Sequence, residues 1–415
     1  MAAFDRVKGS RYGPYLIASL LLLGLYFPSS NGSEQSSRLI AMAEVLLLGL
    51  FIMLAVGYGL ASFRLQVIGV SIPIVLVLGT FISPFNIYVV GIIYTYIVLT
   101  VLYNLNLRTI EASSSLRVAF IVANVINLTL GFGIILQNDK VTAFLMEHYT
   151  YWYPELLSNM FAMRKPVLSF GTHSVAGFFE FLFFWLNLKT FETRRARLYL
   201  FFAVIYAIFS IFLFSYTSLF FFACEAVMLI RLAVSWNWKL TLVASASALV
   251  LAFLFVRAQL DALEWKYELA DYARMDLDPT SSGPLARYSL TGNLAPNLAY
   301  LRDNPLTPIG LSKPSTLFFM DSGPIEYLLR GSVPLLVLIY GGLFLFLRQN
   351  LRFQNDALLL FAAILVFEIG FPVLLYFRTL YLVPFIIVYL NGLHEFGDKE
   401  SRIVNARAAF AVPQS

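Results

Sequence analysis

Apolar residues follow one another along most of this chain in runs too long for a strand and too uniform for an amphipathic helix. A helix needs about 20 mostly apolar residues to cross a bilayer core of ~30 Å at ~1.5 Å per residue. Twelve stretches read as spans: Tyr12–Phe27, Leu39–Ala61, Val67–Ser83, Phe85–Leu105, Val118–Gln137, His173–Leu188, Leu198–Ser215, Thr217–Val234, Leu240–Val256, Gly323–Leu347, Ala357–Leu375 and Leu380–Leu393. The last is short, and its start can move toward Arg378. Polar residues gather instead into two long intervals, Asn138–Thr172 and Ala258–Ser322.

Lysine and arginine give these spans a sidedness, because short cytoplasmic loops carry an excess of them. With the N-terminus inside, Arg6, Lys8, Arg11, Arg64, Arg108, Arg117, Lys189, Arg194, Arg195, Arg197, Arg231, Lys239, Arg348, Arg352, Lys399, Arg402 and Arg407 all fall on the cytoplasmic side. The short loops opposite hold only Arg38 and Arg378. Both termini are then cytoplasmic, and both long polar intervals are outside. Long loops without a role are uncommon, so a site is expected on the outer face.

In the first interval, HYTYWYPELLSNMFAM reads as an interfacial helix with Trp152 and its tyrosines at headgroup level. Such rings also suit stacking against sugars. The second interval opens with DALEWKYELADYARMDLD, where Leu260, Leu263, Tyr267 and Ala270 recur at helical spacing. A further short helix is predicted from Pro296, since proline suits a first helical position, to Asn304-Pro305.

Composition agrees. The chain is 59% hydrophobic and 13% charged, with a mean hydropathy of +0.77, where soluble domains carry about 25% charged residues. The fold class is all-α: a polytopic membrane protein with about twelve transmembrane helices, one integral domain over 1–415. Neither the first long outer loop (138–172) nor the second (258–322) is large enough to bury a core of its own. The single Cys224 excludes an intrachain disulfide, and His148, His173 and His394 fall in unrelated segments, which suggests no zinc site. The formal charge of +5 belongs to the cytoplasmic loops rather than to a nucleic-acid surface. No cleavable signal is expected, since the first apolar run is followed by PSSNGSEQSS without a small-residue cleavage site.

Candidate chemistry sits in the outer intervals. Arg164-Lys165-Pro166 precedes a Gly171–Ser174 turn into the sixth span, whose free N–H groups suit an anion. Adjacent cations at a membrane surface also serve as headgroup anchors, and His173 reads equally as an interfacial histidine. Arg287, Arg302 and Lys313 share their loop with eight acids from Asp261 to Asp321, which would pair with them in solvent at up to about 1 kcal/mol each. Arg287, however, lies nine residues past Asp278 in Gly/Pro-rich chain. A guanidinium fork suits phosphate, so Arg164 and Arg287 together suit a diphosphate. Asp321 reads either as the cap of the tenth span, with Ser322, or as a carboxylate able to take a proton from a hydroxyl. Asp276-Leu-Asp278 has the form of a metal-holding pair for nucleotide sugars, a weak signal outside the cytoplasm. Glu44, Glu180, Glu225 and Glu368 lie inside spans, where an acid costs roughly 2.5–3.5 kcal/mol and faces a cavity or a partner.

Three features resemble the bacterial O-antigen and exopolysaccharide polymerases of the Wzy type and their relatives, the O-antigen ligases. They are Arg164-Lys165-Pro166 with GTHSVAGFF, Arg287 with LRDNPLTPIGLS (Leu301–Ser312), and MDSGPIEYLLRGSVPLL (Met320–Leu336). Gly310 follows Pro308 where the family often has glycine, and Met320-Asp321 stands where the ligases usually carry histidine-asparagine, which favours a polymerase. The resemblance implies a GT-C-like, inverting, metal-independent glycosyltransferase that needs no cofactor. Its substrate would be an undecaprenyl-diphosphate-linked oligosaccharide, and its surroundings membrane lipids, a chain-length regulator and a flippase, with no nucleic acid. Arg164 and Arg287 would bind the diphosphate, and Asp321 (or else His173) would act on the acceptor hydroxyl. Lys165, His173, Tyr288, Arg302, Lys313, Glu326 and Arg378 are the expected substrate contacts, with Trp265, Tyr267 and Tyr272 walling the glycan. A ligase acting on an acceptor lipid, or a flippase or transporter, are the alternatives. Transporters of this size often show paired half-repeats, and none is evident here.

Overall fold

A computed structural model describes residues 12–30, 36–85, 90–149, 154–213, 215–235, 288, 292–317 and 322–410. Regular structure among them is helical, apart from one antiparallel bridge between Leu60 and Leu105. The helices are α1 (Gly13–Tyr26), α2 (Ser36–Tyr58), α3 (Phe63–Ile82), α4 (Val90–Tyr103), α5 (Ser114–Ile135), α6 (Asp139–Tyr149), α7 (Pro154–Ala162), α8 (His173–Arg194), α9 (Arg197–Phe212), α10 (Tyr216–Ser235), α11 (Ala295–Asp303), α12 (Gly323–Asn350), α13 (Gln354–Glu368) and α14 (Phe377–Phe410). Eleven of the twelve expected spans coincide with a helix; Leu240–Val256 lies outside the described residues, as do the periodic 260–270 stretch and Asp276-Leu-Asp278. Among the described residues, five helical stretches are long and apolar enough to cross a membrane: 38–58, 63–82, 114–135, 323–350 and 377–394.

Two expectations are adjusted and two hold. The first outer interval forms two short helices, α6 and α7, instead of one. The eleventh span stops at Glu368 because Gly370 and Pro372 follow, and a residue before proline disfavours helix. The last span starts at Phe377, and the predicted short helix near Pro296 is α11, with proline in its first turn.

The centre of the bundle is α8 with the first half of α14. Every residue from Val175 to Leu188 is buried, so α8 tolerates Glu180 and Asn187 among its aromatics. Phe178 stacks on Phe367 of α13, and Phe181 stacks on Phe221 of α10. On the outside, α2 and α3 are apolar all round yet largely uncovered: Val56 and Phe81 are each 83% exposed. An all-round apolar helix left uncovered needs an apolar surrounding, which is the signature of a bilayer-facing wall.

One helix is deliberately broken. In α12, Gly331 and Ser332 leave helical geometry, Ser332 with φ +54°, and Pro334 follows. The break takes the Leu329 and Arg330 carbonyls away from the N–H donors four residues on, and Pro334 has no N–H to give. The NPLTPIG turn supplies the missing donors: Ile309 N–H reaches Leu329 O at 2.8 Å and Gly310 N–H reaches Arg330 O at 3.1 Å. The turn is held from the other side by α3, where Leu311 N–H meets Thr80 Oγ1 at 3.0 Å and Ser312 Oγ meets Ser83 Oγ at 3.1 Å.

Candidate functional site

The ends of α1, α3, α5 and α13 meet the starts of α8, α12 and α14 at one end of the bundle, with α6, α7, α11 and the NPLTPIG turn over them. Short hydrogen bonds tie this layer down. Ser29 and Ser30 N–H both reach His148 O at 3.0 Å, the Tyr149 hydroxyl reaches Tyr26 O at 2.8 Å, and Ser169 Oγ reaches Leu25 O at 2.7 Å.

Arg164 ends α7. Its φ is +57°, its own N–H bonds Phe161 O at 2.9 Å, and the next N–H, of Lys165, bonds Met160 O at 2.9 Å. That is a left-handed helix cap, a position normally given to glycine. Gln137 caps α5 in the same way: its φ is +54°, with Gln137 N–H on Ile134 O and Asn138 N–H on Gly133 O. The two strained caps face each other. Arg164 Nη2 donates to Gln137 Oε1 at 3.2 Å, and Gln137 Nε2 donates to Ala162 O at 3.4 Å. A non-glycine residue in this conformation costs about 1–2 kcal/mol and marks a position held for its side chain. Lys165 is buried, and His173 opens α8 half-buried. Thr172 caps that helix by accepting from Val175 N–H at 3.3 Å, so one of its free N–H groups is already used.

The second expected centre is bounded by its neighbours. Arg287 and Asp321 lie outside the described residues. Tyr288 and Ser322, next to them in the chain, are bonded to each other: the Tyr288 hydroxyl meets Ser322 Oγ at 2.9 Å and also contacts the Ile369 carbonyl. Glu368 lies beneath, fully buried. It accepts from Leu374 N–H at 2.7 Å and from the Tyr340 hydroxyl at 3.2 Å. A Cβ on Gly323 would fall 1.6 Å from its Oε2, so glycine is what lets the carboxylate pack against the start of α12. Tyr327 and Tyr96 bury their hydroxyls in the same nest.

The remaining expected contacts do other work in the fold. Glu326 pairs with Arg330 at 2.5 Å one turn on, and both are buried; Arg330 Nη1 also donates to Gly310 O at 2.8 Å and Ser312 O at 3.1 Å. Arg378 is fully buried and caps the end of α1, donating to Gly24 O and Leu25 O at 2.9 Å and to Phe27 O at 3.1 Å. A cation at a helix C-terminus is favoured by the carbonyls it meets there. Arg302 and Asp303 form an exposed pair at 2.8 Å, and the Arg302 hydrogen bond and charge hold the Asp303 carboxyl below its ordinary range. Lys313 is exposed beside the turn.

The layer thus brings Arg164, Lys165, His173 and Tyr288 to one end. The structure adds Gln137, Glu368 and Gly323 to them. Among the described residues, no group of three or more His, Cys, Asp or Glu side chains is placed to hold a metal. Compared with known protein families, curated proteins and solved structures, the chain matches none.

Proposed function

We propose that this chain is an integral membrane glycosyltransferase that polymerises undecaprenyl-diphosphate-linked repeat units into O-antigen or exopolysaccharide, at the outer face of the bacterial inner membrane. Arg164 and Arg287 neutralise the charge that develops on the departing diphosphate, and Asp321 takes the proton of the attacking sugar hydroxyl. The leaving group is already activated, so no nucleotide is required.

What carries the reading is the Tyr288–Ser322 hydrogen bond. It ties the residue after Arg287 to the residue after Asp321, at the end of the bundle where Arg164 is held by Gln137. A charge-assisted contact to the diphosphate contributes about 1.5–3 kcal/mol, and loss of one such stabiliser lowers a rate about 10²–10³-fold.

The test is Arg287→Ala in cells that depend on this chain for long polymer. The variant is expected to insert at normal levels while lipid-linked single repeat units accumulate on the outer leaflet. Normal-length polymer would remove Arg287 from the site, and accumulation on the inner leaflet would point to a flippase instead. Long polymer that forms on the carrier but fails to reach its acceptor would point to a ligase.

A further inference from the structure

Two carboxyl groups in the bundle core take no part in the glycosyl-transfer reading. Glu180 of α8 and Glu225 of α10 are both fully buried. They lie on helices that pack along each other, close enough for the Glu225 charge to bear on Glu180. Among the described residues, neither oxygen of Glu180 has a hydrogen-bond partner, nor does Oε2 of Glu225; Glu225 Oε1 accepts from Ser210 Oγ of α9 at 3.1 Å. Their helices meet tightly here, since a Cβ on Gly177 would fall 2.9 Å from Ser218 Cβ.

The groups facing the pair leave its charge unanswered. From α9 comes Tyr206, from α10 Cys224 beside Glu225, and Tyr26 of α1 acts through Tyr206. Among the described residues no lysine or arginine pairs with either carboxyl. An ionised carboxylate without a partner in an apolar interior costs several kcal/mol, and two side by side cost more. Binding protons is the least costly way for such a pair to exist.

A chain of hydrogen bonds leads toward the pair and ends at Tyr206, whose hydroxyl is near enough to feel the Glu180 charge without bonding to it. Tyr206 accepts from Asn127 Nδ2 at 3.1 Å, and Asn127 Oδ1 accepts from the Tyr26 hydroxyl at 3.0 Å. Tyr26 is the last residue of α1, at the end of the bundle that holds the candidate site. A polar seam thus runs from that end to the core, through a part of the molecule otherwise filled by phenylalanine.

We propose that Glu180 and Glu225 form an exchangeable proton-binding site in the bundle core, reached from the end bearing the candidate site along Tyr26, Asn127 and Tyr206. Each carboxylate takes up one proton from water at that end and returns it there, with no other bond made or broken. The site is independent of glycosyl transfer, and any proton-coupled movement of α8 against α10 runs through it.

Infrared spectroscopy of the protein in lipid nanodiscs tests this without a reagent having to reach the core. The band of protonated carboxyl groups is expected at neutral pH, losing the intensity of one carboxyl in each of Glu180→Gln and Glu225→Gln. The milder Glu180→Asp and Glu225→Asp, which keep the acid should glutamine prevent folding, are expected to move the band rather than remove it. On transfer to deuterated water the wild-type band shifts, and Tyr206→Phe slows that shift at least several-fold. Bands identical in the wild type and all four variants would overturn the proton site. A wild-type band that never shifts would overturn its exchange with solvent, and an unchanged rate in Tyr206→Phe would overturn the route.

Discussion

At position 164 the side chain and the backbone pull in opposite directions. The left-handed cap wants glycine, and the proposed chemistry wants a guanidinium. Substitution separates the two. Arg164→Ala and Arg164→Gly should both lose about 10²–10³ in rate. Glycine relieves the cap strain that alanine retains, so Arg164→Gly should be the more stable variant by about 1 kcal/mol in thermal melting. Equal activity of Arg164→Gly and wild type would remove this residue from the site. Arg378 makes the contrasting case. Removing its guanidinium takes a donor from the Gly24 and Phe27 carbonyls, while Leu25 O keeps Ser169 Oγ, so Arg378→Met should cost about 2 kcal/mol or more, with activity kept by whatever folds. Full stability with lost activity would restore Arg378 as a substrate contact. From sequence, Arg164 and Arg378 look alike, each an arginine on the outer side just before a span. What distinguishes them is which carbonyls are orphaned nearby, and that depends on packing between residues over 350 positions apart. Gln137 carried no signal at all, because its part depends on the left-handed turn and on the neighbour it meets there.

Among the elements, the break in α12 is the part that sets the loop above it. Gly331, Ser332 and Pro334 lie inside the expected span Gly323–Leu347, whose apolar run gives no sign of a break. The NPLTPIG turn was visible, but not that the turn and the break satisfy each other. Gly310 has φ +56°, and a Cβ there would fall 2.2 Å from Thr80 N. Gly310→Ala therefore meets both backbone strain and the backbone of α3. It is expected to free the 304–317 segment to proteolysis at low protease while α12 stays protected. Uniform protection of both would contradict the clamp. Helix ends were legible where chemistry marks them, as at Thr172 and at the proline opening α11. They were missed at Glu368, because the apolar run continues through Gly370 and Pro372 to Leu375.

Over the whole molecule, apolar run length located nearly every long described helix, because bilayer thickness and backbone satisfaction leave few other solutions. The same signal says nothing of which helix is central: α8 is buried throughout Val175–Leu188, yet its Glu180, Asn187 and Lys189 make it look less apolar than the uncovered α2 and α3. The end opposite the candidate site has its own lock. Asp356 accepts from Lys189 Nζ at 3.1 Å and contacts His394 Nε2 at 2.9 Å. Burial pushes its carboxyl up, but the His394 hydrogen bond and the Lys189 charge outweigh this and leave it below the ordinary range. A depressed carboxyl stabilises the fold above the unfolded value of about 3.9 and loses that contribution as pH falls through the folded value. The melting temperature of Asp356→Asn should thus lie below wild type at pH 6 and converge with it as pH drops below about 4; a gap that persists in acid would mean the lock is not electrostatic.

The central claim is that this bundle extends a glycan on a lipid diphosphate using its own side chains. The measurement that reaches it most directly is incubation of the purified protein, in chelator and without nucleotide, with an undecaprenyl-diphosphate-linked repeat unit, resolving the products by size. A ladder of lipid-linked oligomers that disappears in Arg287→Ala is the predicted result; a substrate left at one repeat, or elongated only when a nucleotide sugar or metal is added, would contradict it.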